Sequence, residues 1–368
     1  MFFMLLSLLL FIADGGFALT LEASMTLEQK VGQLFMIRPD QLDTSLSLEE
    51  IRDSKASGVK KLNARMLKTL EDYPAGGFVL FGKNIKDPKQ LKNFTQELKA
   101  ACKIATIMAI DEEGGRISRL ANHSRFNLPK YESMEAIGKT QNPRNAYEAA
   151  KTIAGYIKEY GFTFNFAPVA DINTNPKNRI IGKRAFGSDP EQVSKMVSAY
   201  LDGLHSHGIA GSIKHFPGHG DTTKDTHTGY VAVFKHWNEL LNAELIPFID
   251  NFEKTDSVMI AHITMKNVTS DDLPATLSKE LITGKLRGEL GYNGLIITDS
   301  LSMRAVRDHY SSGEAAVLAF EAGCDILLMP YDYREAFNAV LDAVKIGRIS
   351  EQRLNESVQK ILGLKYLQ

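Results

Sequence analysis

Residues 214–227, KHFPGHGDTTKDTH, hold the densest set of proton-transferring side chains in this chain. Three histidines and two aspartates occur within these fourteen positions, and Pro217, Gly218 and Gly220 predict a tight loop rather than a helix. A carboxylate such as Asp225 can orient an imidazole such as His227 and raise its basicity, and such a pair exchanges protons near neutral pH. The segment therefore predicts an acid/base site.

The same loop has a second interpretation, a metal site in a metal-dependent hydrolase, because imidazole and carboxylate groups are common metal ligands. The spacing does not match the helical H-E-x-x-H pattern, so proton transfer is favoured. The chain also has no Gly-rich dinucleotide fingerprint and no P-loop pattern. We therefore expect neither a metal nor a cofactor.

Ionisable residues also end or follow several apolar segments elsewhere in the chain. Each residue taken alone is often only a helix cap or a loop anchor. Buried charge is costly unless it is paired or used, and in barrel enzymes the chemistry lies at the carboxyl ends of the strands. We therefore expect one rim that binds a polar, hydroxyl-rich ligand. The residues concerned are Asp111, Asp171, Lys214, His215, His262 and Asp299.

Eight short apolar segments must position these residues, and they alternate with helical segments from Met25 onward. The apolar segments are nearly continuous, which is typical of parallel strands buried on both faces. Eight strand–helix units favour an α/β fold with a single (β/α)8 barrel over an open doubly wound sheet. The predicted strands cover residues 32–37, 76–82, 105–111, 163–169, 210–216, 257–263, 294–299 and 325–330.

Helix signals occupy the intervening segments. Asp87-Pro88 and Asp189-Pro190 are each typical of a helix cap followed by the first helical residue, and Gly208 is typical of a helix end. Further predicted helices cover residues 143–160, 236–252, 279–290, 313–322, 333–345 and 350–366.

Composition narrows the class of protein. The chain has 368 residues, 44% of them hydrophobic and 24% charged, and a net charge of −1. It has no Lys/Arg-rich run, so nucleic acid is not an expected partner. Its two cysteines, Cys102 and Cys324, are too few for a disulfide framework, and we expect both to be buried small hydrophobic residues. We expect a monomer.

The N-terminus differs from the rest of the chain. Residues 2–12 are almost continuously apolar, and Gly16-Phe17-Ala18 supplies small residues at the −3 and −1 positions of a signal-peptidase site. No Lys or Arg precedes the apolar run. We expect residues 1–24 to be a signal peptide or apolar segment, and residues 25–368 to be the catalytic domain. We therefore expect export to the periplasm or the medium. The alternatives are a cytoplasmic location, if the segment is not a functional signal, and membrane attachment, if the segment is not cleaved.

Several of these segments resemble motifs of the bacterial β-N-acetylglucosaminidases in glycoside hydrolase family 3. Residues 214–227 resemble the signature loop K-H-F-P-G-H-G-x-T-x-x-D-[ST]-H, and residues 111–116 resemble D-Q-E-G-G-R with Glu112 in place of Gln. Residues 297–303 match with one departure, Ser300, where the family usually has a second Asp. Residues 25–33, 165–171 and 182–187 also match, so the resemblance covers most of the chain.

The resemblance implies a role for each matching residue. Asp299 would be the nucleophile, and Asp225 with His227 the acid/base dyad on a mobile loop. His219 would be a structural loop residue. The residues that would line the sugar site are Asp111, Arg116, Arg184, Lys214, His215 and His262.

The implied reaction is retaining hydrolysis of terminal, non-reducing β-N-acetylglucosamine through a covalent glycosyl–Asp intermediate. The substrates would be N-acetylglucosamine-containing glycans or muropeptides in cell-wall recycling. Family members that act as β-glucosidases usually have a second domain carrying an acid/base Glu, for which this length leaves no room. The alternatives are a β-N-acetylglucosaminide phosphorylase and a non-catalytic sugar-binding barrel.

Overall fold

The computed structural model describes residues 20–222 and 231–366. Its centre is a sheet of eight parallel strands in the order β7-β6-β5-β4-β3-β2-β1-β8. A parallel bridge between Ile297 and Ile326 links the two ends of this sheet and closes it into a barrel, which confirms the predicted (β/α)8 fold. The strands are β1 (Phe35–Ile37), β2 (Gly77–Leu80), β3 (Ile107–Ile110), β4 (Phe164–Asn165), β5 (Ala210–Phe216), β6 (Ser257–Ile260), β7 (Leu295–Thr298) and β8 (Leu327–Leu328).

Every residue of the eight barrel strands is buried, as their continuous apolar sequence predicts. The strand register brings their carboxyl ends to one rim: Leu80 pairs with Ile110, and Thr298 pairs with Ile260. Polar residues that follow neighbouring strands therefore meet at this rim.

Several strands are shorter than predicted. The segment 32–37 loses Gly32 and Gln33 to the preceding helix, Leu27–Gln33. The segment 163–169 is reduced to Phe164–Asn165, because the Ala167 N–H donates back to the Asn165 carbonyl and Pro168 has no N–H to donate. Val169 then forms an isolated parallel bridge with Lys214.

Helices surround the barrel. The predicted caps are confirmed: Asp87 accepts a hydrogen bond from the Gln90 N–H, Asp189 accepts one from the Gln192 N–H, and each cap is followed by proline. Gly208, with φ of +65°, follows the second of these helices. The α-helices after Leu27–Gln33 are Leu48–Arg52, Ala64–Asp72, Pro88–Ala101, Met134–Gly138, Pro143–Glu159, Pro190–His205, Trp237–Leu241, Ile246–Ile249, Arg304–Arg307, Ser312–Ala322, Tyr333–Lys345 and Glu351–Tyr366.

The described residues also form short 3₁₀ turns and a π-helix. The π-helix, Glu280–Glu289, replaces the helix predicted for residues 279–290, so the location is confirmed but the hydrogen-bond pattern differs. The 3₁₀ turns are Pro39–Leu42, Gly82–Asn84, Gly182–Arg184 and Ala275–Leu277.

One predicted helix, 236–252, is wrong. The segment instead begins in a strand, Val231–His236, and continues as two short helices, Trp237–Leu241 and Ile246–Ile249. Pro247 lies in the first turn of the second helix, where its missing N–H costs nothing. The strand pairs in parallel with Ile263–Asn267, outside the barrel.

A second small sheet stands at the barrel mouth and was not predicted. It is a hairpin of Glu112–Gly114 and Ile117–Ser118, which follows β3 directly. Gly114 and Gly115 lie at its turn with φ of +95° and +65°, values that disfavour any residue with a Cβ. The hairpin carries several of the charged residues described below.

The amino end of the barrel is held by a buried carboxylate. Asp325 accepts hydrogen bonds from Arg287 at 2.7 Å and from Ser357 at 2.5 Å, which ties the C-terminal helix to β8. Cys324 is buried as expected, but the same expectation is wrong for Cys102, which ends the helix Pro88–Ala101 and is half-buried. Within residues 20–222 and 231–366, no helix has the length and apolar character needed to cross a bilayer.

Candidate active site

A pocket of about 320 Å³ opens at the carboxyl ends of the strands. Five of the predicted site residues line it and come from different parts of the chain: Asp111, Arg184, Lys214, His215 and Asp299. Arg116 and His262 are not among its lining residues. Asp225 and His227 lie outside the described residues, so their predicted role as an acid/base pair stays a prediction.

A four-residue ionic network forms one wall of the pocket. Lys214, on β5, lies 3.2 Å from Asp111 Oδ1 and 2.5 Å from Glu113 Oε1. Arg184 donates two hydrogen bonds to Glu113, from Nε to Oε2 at 2.8 Å and from Nη2 to Oε1 at 2.7 Å. The network thus holds two cations and two carboxylates in fixed positions.

These ion pairs decide the charge of the carboxylates. Burial by itself would raise the pKa of Glu113, but Arg184 and Lys214 outweigh it and hold the pKa far below its usual value. Asp111 behaves in the same way: burial opposes ionisation, and Lys214 and Arg119 lower the pKa nevertheless. Both groups are therefore ionised acceptors that suit the hydroxyl groups of a ligand.

Asp299 follows β7 directly and projects into the pocket. Its backbone N–H donates to the Ile260 carbonyl at 2.9 Å, and its Oδ1 accepts the Ser300 N–H at 2.7 Å. A further hydrogen bond joins β7 to β8, because the Leu328 N–H donates to the Thr298 hydroxyl. A carboxylate held between two strands has the rigid placement that a nucleophile needs.

His215 is oriented by a buried carboxylate. Asp171 Oδ2 accepts the His215 backbone N–H at 3.1 Å and lies 2.7 Å from Nδ1, so Nδ1 carries a proton and Nε2 lies toward Arg184 at 3.4 Å. Burial by itself would raise the pKa of Asp171, but the interactions with His215 and His219 together outweigh it, and the pKa lies below its usual value. Asp171 therefore fixes the imidazole that the pocket presents.

His219 lies beside this pair. Its backbone N–H donates to Asp171 Oδ1 at 2.6 Å, and its Nδ1 lies 2.7 Å from the Thr222 hydroxyl. Burial and the neighbouring His215 lower the pKa of His219, so its ring is neutral at physiological pH. These contacts fit the structural role expected for this residue.

Both ring nitrogens of His262 are hydrogen-bonded next to Asp299 and outside the pocket. Its Nδ1 lies 2.5 Å from the Thr276 hydroxyl and its Nε2 lies 2.8 Å from the Ser300 carbonyl, to which it donates. It therefore fixes the backbone next to Asp299 and does not line the pocket.

Arginine 119, rather than arginine 116, faces the pocket. The Arg119 guanidinium lies 3.0 Å from Asp111 Oδ2 and 5.0 Å from the centre of the Phe81 ring. Arg116 donates instead to the backbone carbonyls of Arg179 and Ile180. The hairpin turn after Glu113 reverses the chain, and sequence alone does not determine which arginine then points inward.

Glu113 and Arg38 also line the pocket and were not predicted from the sequence. Arg38 follows β1, donates to the Ile51 carbonyl at 3.0 Å, and stacks on Phe81 at 4.5 Å. Charge balance could have identified Glu113, because the predicted cations Lys214 and Arg184 require a buried partner. No comparable sequence signal identifies Arg38.

Within the described part of the chain, no group of three or more His, Cys, Asp or Glu side chains is close enough to hold a metal ion. The four charged residues of the ionic network are instead paired with one another. Fold and pocket together define a barrel protein of the kind that binds a polyhydroxylated ligand at the carboxyl ends of its strands.

Comparison with known proteins identifies the family. The family described as "Glycosyl hydrolase family 3 N terminal domain" matches residues 26–364. The chain belongs to glycosyl hydrolase family 3, as its motifs indicated.

Similar proteins carry consistent names. The chain is 30% identical to Beta-hexosaminidase A of Pseudoalteromonas piscicida, over 94% of this chain and 62% of the relative. It is 33% identical to a Beta-hexosaminidase of Tolumonas auensis, over 77% of this chain and 84% of the relative. A glycoside hydrolase family 3 beta-N-acetylglucosaminidase from Paenibacillus sp. str. FPU-7 superimposes with a TM-score of 0.83 and 36% identity, covering 93% of this chain and 62% of that structure. The chain therefore spans less than two thirds of the first relative and of this structure.

Proposed function

We propose that this protein is a retaining β-N-acetylhexosaminidase that hydrolyses terminal, non-reducing β-N-acetylglucosamine. The observation that carries the proposal is the position of Asp299, at the end of β7 in a pocket walled by Asp111, Lys214 and Arg184. The names of the relatives, beta-hexosaminidase and beta-N-acetylglucosaminidase, support the choice of sugar.

In the first step, an Asp299 carboxylate oxygen attacks the anomeric carbon and forms a glycosyl ester, while the bond to the leaving-group oxygen breaks. His227, oriented by Asp225, donates a proton to that oxygen. In the second step the same imidazole takes a proton from water, whose oxygen attacks the anomeric carbon and releases Asp299. The roles of these two residues rest on the family resemblance of residues 214–227.

Two members of the ionic network, Asp111 and Lys214, supply the sugar contacts in this proposal together with Arg119, which pairs with Asp111. Asp111 accepts hydrogen bonds from ring hydroxyls, while Lys214 and Arg119 donate to hydroxyl oxygens beside it. Because these three groups already hold one another in place, little conformational freedom is lost when the sugar binds.

The leaving group is proposed to be an acidic cell-wall fragment, which would place the protein in peptidoglycan recycling. Its support is the charge of the pocket: three arginines, Arg38, Arg52 and Arg304, line it in addition to the cations of the network. Guanidinium groups suit the carboxylates of muropeptides. Export through an N-terminal segment of residues 1–24, followed by a catalytic domain of residues 25–368, belongs to the same proposal.

Parallel assays of a chromogenic β-N-acetylglucosaminide and the matching β-glucoside test the sugar preference. We expect release from the first substrate only, in water and with free N-acetylglucosamine as product. Formation of a sugar 1-phosphate on addition of phosphate would make the protein a phosphorylase. Cleavage of neither substrate by folded protein would overturn the proposal in favour of a sugar-binding barrel.

A further inference from the structure

Glu112 is a fully buried acid that neither lines the pocket nor joins its ionic network. Its carboxylate accepts three hydrogen bonds. The backbone N–H of Leu120 donates to Oε2 at 2.8 Å, that of Ala121 donates to Oε1 at 3.0 Å, and the Tyr156 hydroxyl donates to Oε1 at 2.8 Å. Each carboxylate oxygen thus accepts one of two consecutive backbone N–H groups.

The segment that Glu112 holds is the one that carries Arg119. Leu120 and Ala121 follow Arg119 directly and are themselves buried. Arg119 reaches from this point into the pocket, where it lies 3.0 Å from Asp111 and stacks on Phe81. Movement of the Leu120 and Ala121 backbone would therefore displace the guanidinium from Asp111.

The Glu112 backbone is fixed independently of its side chain. Asn165 accepts the Glu112 N–H at 3.0 Å and donates to its carbonyl at 2.9 Å, and the Tyr200 hydroxyl donates to the carbonyl of Glu113 at 3.1 Å. The carboxylate thus extends from a fixed backbone next to the barrel to the segment that follows the hairpin. Burial raises its pKa despite the three donors, which marks the site as costly for a carboxylate.

We propose that Glu112 is a positioning residue for Arg119. Its two hydrogen bonds to the backbone N–H groups of Leu120 and Ala121, here called the clasp, hold the chain so that the guanidinium contacts Asp111 and the sugar. The identity of the sugar rests on the proposed function, whereas the clasp rests only on the hydrogen bonds of Glu112. Glu112 acts through Arg119 and touches no reacting atom.

An amide cannot replace this clasp fully. Glutamine offers one oxygen, so one of the two backbone N–H groups in Glu112→Gln would face an NH₂ group and lose its acceptor. A buried donor left without a partner is destabilising, and the chain is expected to move to satisfy it. The family motif has Gln at this position, so this clasp distinguishes the present chain from that motif.

Hydrogen–deuterium exchange tests the clasp without reference to function. In Glu112→Gln the peptide containing Leu120 and Ala121 is expected to exchange at least about tenfold faster, because one protecting hydrogen bond is lost. Tyr156→Phe, which leaves both backbone bonds in place, should show a smaller increase and serves if Glu112→Gln does not fold. Unchanged exchange in both variants would overturn the proposal.

A double-mutant cycle tests the relay to Arg119. We expect Glu112→Gln to lower kcat/KM about tenfold, mainly through KM, and to change it less than about twofold in an Arg119→Ala background. An equal loss in both backgrounds would mean that Glu112 acts only on global stability and would overturn the relay. If the wild-type protein hydrolyses no N-acetylglucosaminide, the proposed function fails. The same double-mutant cycle is then carried out with the affinity for N-acetylglucosamine, measured by calorimetry, in place of kcat/KM.

Tyr292→Phe provides a matched control. Tyr292 is as buried as Tyr156 and donates to the Leu295 carbonyl at 3.0 Å, at the opposite end of the barrel. The variant Tyr292→Phe should lower the melting temperature about as much as Tyr156→Phe does, and it should leave hydrogen–deuterium exchange at Leu120 and Ala121 unchanged. If Tyr292→Phe speeds that exchange equally, the effect is not local and the clasp is rejected.

Discussion

Glu113 and Arg184 form a buried, two-point ion pair, with guanidinium nitrogens 2.8 and 2.7 Å from the two carboxylate oxygens. Lys214 contacts the same carboxylate at 2.5 Å. One acid therefore holds two cations at the pocket wall, and the geometry of the proposed sugar site depends on it.

Removal of the Glu113 charge should destabilise the fold strongly. Glu113→Gln leaves two buried cations without their carboxylate, which costs about 3–5 kcal/mol. The exposed pair Glu321–Arg348 has the same two-point geometry, at 2.8 and 2.7 Å, so Glu321→Gln is a matched control with an expected cost of about 0–1 kcal/mol. Urea unfolding measures both variants, and equal losses would contradict the account.

The stability contributed by Glu113 should depend on pH in a defined direction. Its pKa is lower in the folded state than in the unfolded chain, where it lies near 4.5. The stabilisation is therefore complete above about pH 4.5 and is lost as pH falls toward the folded-state pKa. Unfolding free energies of wild type and Glu113→Gln between pH 3 and 7 should converge below about pH 4.5; a gap that widens on acidification would contradict this sign.

Loss of Asp299, the proposed nucleophile, should remove turnover and spare the fold. Asp299→Asn keeps an oxygen for the Ser300 N–H, so the melting temperature should change little. Hydrolysis of the chromogenic N-acetylglucosaminide should fall at least about a thousandfold, or ~4 kcal/mol in activation free energy. Residual activity within tenfold of wild type would exclude Asp299 as the nucleophile.

Arg119 and Arg116 should differ in their effect on activity. Arg119→Ala removes a guanidinium from the pocket and should lower kcat/KM roughly 10–100-fold, as expected for a lost hydrogen bond to a charged group. Arg116→Ala, whose parent side chain contacts the Arg179 and Ile180 carbonyls, should lower it less than about threefold. Steady-state kinetics decide between them, and the reverse order would restore the sequence prediction for Arg116.

The proton-transfer role proposed for His227 predicts a dependence on the leaving group. His227→Ala should slow hydrolysis of substrates with poor leaving groups more than that of aryl substrates with acidic phenols, because the latter depart without protonation. The ratio of the two rate losses is the measured quantity. Equal losses on both substrates would argue against His227 as the proton donor.

Much of the site could be predicted because parallel strands share one rim. Asp111, Lys214 and Asp299 were expected together on that ground, and the structure places all three in one pocket. Positions that follow a reversal of the chain could not be predicted. The hairpin after β3 directs Arg119 toward the pocket in place of Arg116, and nothing in the local sequence shows which arginine faces inward.

The elements outside the barrel were the least predictable. Residues 236–252 were expected to form one helix, yet they form a strand end and two short helices. The first of these helices packs against the strand Val231–His236, and the second packs against the helix Pro190–His205. Tertiary packing overrides local pattern in such segments. The partners of Glu113 lie far from it in sequence, so no local motif identifies them, and only the need of Lys214 and Arg184 for a buried acid points to this residue.

Trapping of the covalent intermediate tests the central claim most directly. A fluorinated N-acetylglucosaminide analogue whose glycosyl–enzyme turns over slowly is incubated with the protein, and peptide mass spectrometry then locates the added sugar. We predict one equivalent of sugar, attached to the peptide and side chain of Asp299. Attachment to any other residue, or product release with inversion and no adduct, would contradict the account.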